Sequence, residues 1–457
     1  MFSRSSDNKK GNRGNRALAL IIAAALGLAN TLAAEPANAA ERFLKVPTGI
    51  KKRTVAKTPT YHDPDLLLIM PYASAEQDNI DKALKEVDGQ VVGSMGEGQL
   101  KCLIVKTPKG KLAEVETKLK KEKKTFRCIS RNYRFKAHFI PNDADFPSQW
   151  HLAAMNCPKA WDTVQGNGTK VAVFDTGCQA NIPDLNGKTD KGYDATTVAA
   201  RLTVLAGPGL LGDIVGGIGG AASSGAQTDV HGHGTWVATA AAATANNSSN
   251  TAGVAPKSRI YPVQIAGSGG TTDDIAIMAG LLNMFTTGNR IVNISYGAPP
   301  PVGFTNVALH GPLHVYMQSY YAKGGLIFLS SGNDSMFDPN PPTPYYNVVS
   351  AIDSSMTLAD FSNWGNSTTF TAPGKGIMVS DRDGSTISVN GTSFSSPIVA
   401  ATAALIWNAN PALPNTWVEH ILKASCLKTN GGVLWTPYYG YGMPDAKLAV
   451  KMARGGL

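Results

Sequence analysis

The sequence is poor in several things at once. Only 16% of its 457 residues are charged, 8% are aromatic, and it has five Cys. Residues 141–457 contain a single Glu, Glu419. Beyond the first forty residues there is no run of about eighteen apolar residues, so no membrane span is expected there. No C-x-x-C pair occurs, which argues against the common zinc-ligand sets, and no metal site is assigned. A twin-Arg export pair is absent. What is present is enough apolar material, 43% of residues, for a large core. Wholesale disorder is excluded, and the length allows two to four domains.

The net charge of +9 is unevenly placed. Residues 1–140 hold 26 Lys+Arg against 14 Asp+Glu, or +12, whereas residues 141–457 hold 16 against 19, or −3. A slightly acidic body excludes a general nucleic-acid role for it, and no nucleic-acid partner is expected. Low charge with abundant Gly, Ala, Ser, Thr and Asn suits a compact exported enzyme.

The first forty residues carry an address. Arg4, Lys9, Lys10, Arg13 and Arg16 precede an apolar run from Ala17 to about Leu28, and Ala37-Asn38-Ala39 forms an A-x-A site. These are the parts of a secretory signal peptide over 1–39, with an uncleaved anchor as the alternative. Cleavage would leave no stable membrane span and place the protein in the periplasm or outside the cell. Export permits disulfides, and Cys157–Cys178 is the first pair to test.

Residues 40–64 are basic, Thr/Pro-bearing and unpatterned, and read as a linker. The segment 65–140 then alternates periods. Leu66 to Met70 is strand-like; Ile80, Ala83, Leu84 and Val87 have helical spacing. Gln90 to Val92 and Leu100 to Val105 read as strands, Leu112, Val115 and Leu119 as a helix face, and Thr125 to Ile129 as a last strand. The order β-α-β-β-α-β predicts a small α+β, ferredoxin-like domain. The Lys run over 118–124 reads as a solvated helix face.

The chemistry lies in residues 141–457. Val171 to Phe174 is a short apolar strand ending at Asp175-Thr176-Gly177. Functional groups of open α/β sheets sit at such carboxyl ends. His231-Gly232-His233-Gly234-Thr235 opens an Ala-rich helical stretch. Gly391-Thr392-Ser393-Phe394-Ser395-Ser396-Pro397 runs into an apolar helix, with Pro397 suited to a first turn. Taken singly, Asp175 reads as a turn residue, Ser393 as a helix cap and Asn333 as a loop residue. Taken together, they offer what nucleophilic hydrolysis needs. A Ser hydroxyl requires a neutral imidazole to take its proton, and the imidazole requires a carboxylate to hold its tautomer. The order is Asp, His, Ser, with spacings of 58 and 160 residues.

On Asp175-Thr-Gly, His233-Gly-Thr-x-Val-Ala, Ser331-Gly-Asn333 and Gly391-Thr-Ser393-x-Ser-x-Pro, the chain resembles the subtilisin-like serine proteases, the subtilases, with an N-terminal inhibitory propeptide. Gln149-Trp150-His151-Leu152 resembles the start of the mature enzyme, and Gly440-Tyr-Gly442-x-x-Asp445-Ala446 its end. The resemblance implies an α/β fold with a mainly parallel central sheet flanked by helices. It implies a catalytic domain over 141–457, a propeptide over 65–140, and polypeptide substrates. Asp175, His233 and Ser393 would form the triad, and Asn333 would complete the oxyanion hole. Ser295, Tyr296 and Gly297 would pair with substrate as an added strand, Tyr296 replacing a usual Leu and narrowing a subsite. Thr239 stands where the family has Gly, which leaves helix packing there open. The other histidines, His62, His138, His151, His310, His314 and His420, are expected to be structural or exposed, and His231 a neighbouring polar contact.

The resemblance further implies a self-processing zymogen acting as a monomer, with its own propeptide as a partner. No cofactor is expected for the chemistry. Structural calcium is compatible, the acidic clusters Asp273–Asp274 and Asp334–Asp338 being the sequence candidates, although neither follows a calcium-loop motif. Gly207-Pro-Gly209-Leu-Leu-Gly212 matches dinucleotide spacing but lies in a Gly-rich stretch, 198–228, that reads as an exposed loop. The alternative readings are a catalytically silent peptide-binding protein on a subtilase scaffold and a serine esterase.

Overall fold

A computed structural model describes residues 62–134, 139–197, 224–300, 302–427 and 434–455. The signal peptide, nearly all of the linker, and residues 198–223 with the Gly207–Gly212 motif lie outside the described residues. The described residues form two compact units, one within Val46–Ala137 and one following it.

The smaller unit is a four-stranded antiparallel sheet carrying two helices. Strands His62–Pro71, Gln90–Met95, Cys102–Lys106 and Phe126–Tyr133 alternate with helices Gln77–Lys85 and Leu112–Leu119 in the expected order. The first strand lies centrally, paired with Cys102–Lys106 on one side and Phe126–Tyr133 on the other, while Gln90–Met95 forms an edge. Leu67, Ile69, Leu103 and Val105 point to one face, where Ile80, Leu84, Val115 and Leu119 of the helices cover them. The period-2 and period-3.6 patterns thus meet in one core. The first strand begins earlier than expected, at His62, because His62 pairs with Tyr133 and its ring packs edge-on against it. Residues 62–64 therefore belong to the sheet, not to the linker.

The larger unit is an α/β layer structure. Seven strands pair side by side, in the spatial order Thr368–Pro373, Asn347–Ile352, Leu326–Ser330, Ile291–Ile294, Lys170–Asp175, Arg259–Gln264 and Tyr193–Asp194. Every pairing among them is parallel. The central strands are apolar on both faces (Val171, Ala172, Val173 and Phe174; Leu326 to Leu329) because helices cover both sides. On one side lie His233–Ala242 and the long helix Thr392–Ala409, whose Ile398 to Trp407 stretch is wholly buried. On the other lie Asp274–Thr287 and Gly311–Ala322, packed on Phe174, Val263 and Ile294. Among the described residues no helix is long and apolar enough to cross a membrane.

The cysteine expectation is corrected. Cys157 and Cys178 are not joined, and each carries a thiol. Cys157 and Cys178 are both buried but have different neighbours: Cys157 lies near Asp445, and Cys178 near Asp229 and Asp175. Burial pushes both thiols above their usual range, the inert state of a structural cysteine.

Candidate active site

The parallel sheet brings the expected residues to one edge. Asp175 is the last residue of strand Lys170–Asp175, His233 the first of its helix, and Ser393 the second of helix Thr392–Ala409. Asp175 is fully buried, and its Oδ1 accepts hydrogen bonds from the Thr176 N–H and from His233 Nδ1, each at 2.8 Å. Its Oδ2 is buried without a hydrogen-bond partner. The short reach is possible because residue 234 is Gly. A Cβ there would stand 2.1 Å from the Gly177 carbonyl oxygen and 3.0 Å from the Asp175 Cβ, holding helix and strand apart.

With Nδ1–H committed to the carboxylate, the His233 ring presents Nε2 as its free acceptor, and 20% of the side chain is exposed. Burial lowers the affinity of His233 for a proton. The charge and hydrogen bond of Asp175, with the charge of Asp229, outweigh that, and the net shift is upward. Around the ring stand Phe394 and Tyr296, with centroids 5.9 Å away, and Trp236 at 6.2 Å. These aromatics limit water beside the imidazole.

Ser393 lies in the first helical turn, where N–H groups lack intrahelical acceptors. Its hydroxyl is bonded to the Ser295 carbonyl oxygen at 3.4 Å and not to His233. Such contacts are commonly long without substrate, and one χ1 rotation re-aims the hydroxyl. Asn333, exposed after strand Leu326–Ser330, has a determined orientation. The Thr392 N–H (2.8 Å) and hydroxyl (3.0 Å) both donate to its Oδ1. A backbone N–H can only donate, so the amide oxygen must face Thr392 and Nδ2 is left to project on the Gly391 side. The Gly332 N–H in turn donates to the Thr392 hydroxyl at 3.1 Å, closing the network.

The proposed substrate segment follows strand Ile291–Ile294. The Ser295 side chain is buried: its hydroxyl donates to the Ser393 carbonyl (2.8 Å) and accepts from Asn293 Nδ2 (2.9 Å). Tyr296 packs on the His233 ring, and Gly297 borders open space. Thr239, the departure from the family, is accommodated. It is buried, and its hydroxyl donates to the Trp236 carbonyl and accepts from the Ser380 N–H, joining the helix to strand Ile377–Ser380. His231 is exposed, with its ring edge-on to His233 at 6.4 Å.

Asp229 was not singled out by motif reading. It is buried and accepts five hydrogen bonds around the start of the His233 helix. A carboxylate four residues ahead of a helix that opens on Gly-His-Gly was the available signal.

The acidic clusters considered for calcium are otherwise engaged. Asp273 caps helix Asp274–Thr287, Asp274 binds His310 at 2.8 Å, Asp334 accepts from Asn363, and Asp338 from Ser367 and Asn340. Among the described residues, no three His, Cys, Asp or Glu side chains gather as a metal group. The buried Asp184 is likewise engaged, its oxygens accepting from Asn247, Thr251 and Ser380. Burial, with the charge of Asp184, raises the Asp143 pKa despite bonds from the 246–247 backbone, and Asp143 Oδ1 lacks a partner.

Comparison with known proteins places the chain in a family. The profile of the subtilase family matches residues 166–442. Thermitase of Thermoactinomyces vulgaris is 30% identical over 301 residues, covering 65% of this chain and 95% of that protein. Subtilisin Savinase of Lederbergia lenta is 30% identical over 305 residues, covering 66% and 98%. A solved protease from Pseudoalteromonas arctica superposes with a TM-score of 0.55 at 25% identity, over 68% of this chain and 99% of that one. The chain belongs to the subtilase family and is a serine endopeptidase.

Proposed function

We propose that the chain is exported as a zymogen, that residues 65–140 are its inhibitory propeptide, and that it matures by cutting itself. The observation that carries the catalytic part is the buried Asp175 carboxylate bonded at 2.8 Å to His233 Nδ1, beside a Ser in the first turn of a helix.

In this reading Ser393 Oγ attacks the substrate carbonyl carbon while His233 Nε2 takes the hydroxyl proton. Asp175 holds the tautomer and stabilises the imidazolium. The oxyanion accepts hydrogen bonds from the Ser393 N–H and Asn333 Nδ2, and the helix dipole favours the same charge. Collapse of the tetrahedral adduct breaks the C–N bond. His233 returns the proton to the leaving amine, and water, deprotonated by the same imidazole, then releases the acyl group. The backbone of Ser295, Tyr296 and Gly297 lies along the extended substrate, and Tyr296 narrows the space beside His233. Only neutral His233 serves as base. The charges of Asp175 and Asp229 raise its pKa, so the acidic limb of activity should lie higher than that of a free imidazole.

The reaction uses protein groups alone. A structural calcium of the kind the family permits would take no part in the chemistry. The protein would act as a secreted monomer on polypeptides, its signal peptide removed.

A fluorophosphonate probe tests the nucleophile. It should label the wild type and not Ser393→Ala. Equal labelling of both, or no labelling of mature wild type, overturns the assignment, the latter in favour of a binding protein. Ser393→Ala should also accumulate the precursor still carrying residues 65–140. Normal maturation of that variant with no other protease present would remove the self-processing claim.

A further inference from the structure

Helix His233–Ala242 begins without a cap of the ordinary kind. The position before it is Gly232, which has no side chain to accept from the first-turn N–H groups. The carboxylate of Asp229 supplies what is missing. Its Oδ1 accepts from the Thr176 hydroxyl (2.8 Å), the His231 N–H (3.1 Å) and the Gly232 N–H (2.8 Å). Its Oδ2 accepts from the Thr235 N–H (2.8 Å) and hydroxyl (2.7 Å). Thr176, the residue after Asp175, accepts in turn from the Gly234 N–H at 3.0 Å. The backbone on both sides of His233 and the residue beside Asp175 are therefore bound to one buried anion. Burial alone would raise the pKa of that carboxyl. The donors at Gly232, Thr235 and Thr176 outweigh it and hold the group ionised.

We infer that Asp229 is the positioning residue of the Asp175–His233 pair: it sets the approach of the imidazole to its carboxylate partner and adds a second negative charge to the field at the ring. It touches neither substrate nor the reacting atoms, so it acts only through His233. This inference rests on the assignment of Asp175, His233 and Ser393 as the triad.

The charge has a consequence that packing alone does not. Asp175 lies against the His233 ring from the strand, and Asp229 adds its field from the loop before the helix. His231 and Tyr296 flank the ring. Cys178 lies near both carboxylates, with its thiol pushed up by burial. Asp381 is bound to the Trp236 indole, and Arg382 to the Val230 carbonyl. Of these only Asp175 and Asp229 raise the proton affinity of His233 by their charge. Removing the Asp229 charge should lower the pKa of the imidazole, so that it stays neutral, and serves as base, to lower pH.

The test compares mature Asp229→Asn, Thr176→Val and Thr235→Val with wild type on a chromogenic peptide. Active sites are counted by fluorophosphonate so that unfolded molecules do not enter kcat. Asp229→Asn keeps one acceptor but turns an N–H₂ toward Thr235 and loses the charge. Its kcat should fall about 10- to 100-fold, as for a small misplacement of a catalytic group, with KM within about twofold. The acidic limb of its kcat/KM profile should move to lower pH. The two Val variants remove one hydroxyl each and keep the charge; kcat should fall by a smaller factor with the limb unmoved. A wild-type kcat and limb in folded Asp229→Asn overturns the inference. If Asp229→Asn does not fold, wild-type kcat in both Val variants overturns it. Should Ser393→Ala retain activity, the triad assignment fails instead, and the two failures are distinct.

Discussion

His151 makes the catalytic unit sensitive to acid for a reason that can be isolated. It lies in the short helix Trp150–Ala154 with no exposed surface, and among the described residues no group hydrogen-bonds either ring nitrogen. Burial alone pushes its pKa down to about 3. An unfolded chain holds the same group near the ordinary value of about 6.5. Between these values the unfolded chain binds a proton that the native protein refuses. Stability from this site is thus complete above pH about 6.5 and is lost as pH falls toward 3. Each pH unit in the window is worth about 1.4 kcal/mol, so roughly 2.7 kcal/mol should be gone by pH 4.5. The perturbation is His151→Leu in a Ser393→Ala background, which prevents autolysis. Urea unfolding followed by tryptophan fluorescence at pH 7.0 and 4.5 gives the two differences. Carboxylates elsewhere titrate equally in both proteins and cancel. The parent should lose about 2–3 kcal/mol more than the Leu variant over this interval. At pH 7.0 the variant should be no less stable, since it removes two unsatisfied buried nitrogens. Equal losses in the two proteins would refute the reasoning.

Two other outcomes are expected. On the proposed role, Asn333→Ala should lower kcat by about two to three orders of magnitude with little change in KM, because Nδ2 would donate to the oxyanion while Oδ1 stays bound to Thr392; a comparable rise in KM would contradict that role. In native Ser393→Ala precursor a thiol reagent should label the exposed Cys128 readily and reach Cys157, Cys178 and Cys426 only after denaturation. Its intact mass should correspond to five reduced thiols, and a mass short by two hydrogens would indicate a disulfide.

Much of the molecule is legible in its sequence wherever the signal is local. Ile80, Ala83, Leu84 and Val87 are spaced for one helix face, Leu67 and Ile69 for one strand face, and that period alone specifies the order of the small unit. The strand start at His62 was missed because only its pairing with Tyr133 makes it a strand. The motifs around Asp175, His233 and Ser393 are readable because each stands at a strand end or helix start, where Gly and Thr at set offsets are required by the turn. What no local pattern contains is the meeting of side chains far apart along the chain. The hold of Thr392 on Asn333, the Thr239–Ser380 contact, the five donors on Asp229, and the separate surroundings of Cys157 and Cys178 follow from packing seven parallel strands between helix layers. The burial of His151 is of the same kind. Short-range spacing determined which residues could do chemistry and which faces were apolar. Tertiary structure decided their distances, their donors and their protonation, because these depend on the field and contacts of neighbours that the chain brings together only when it folds.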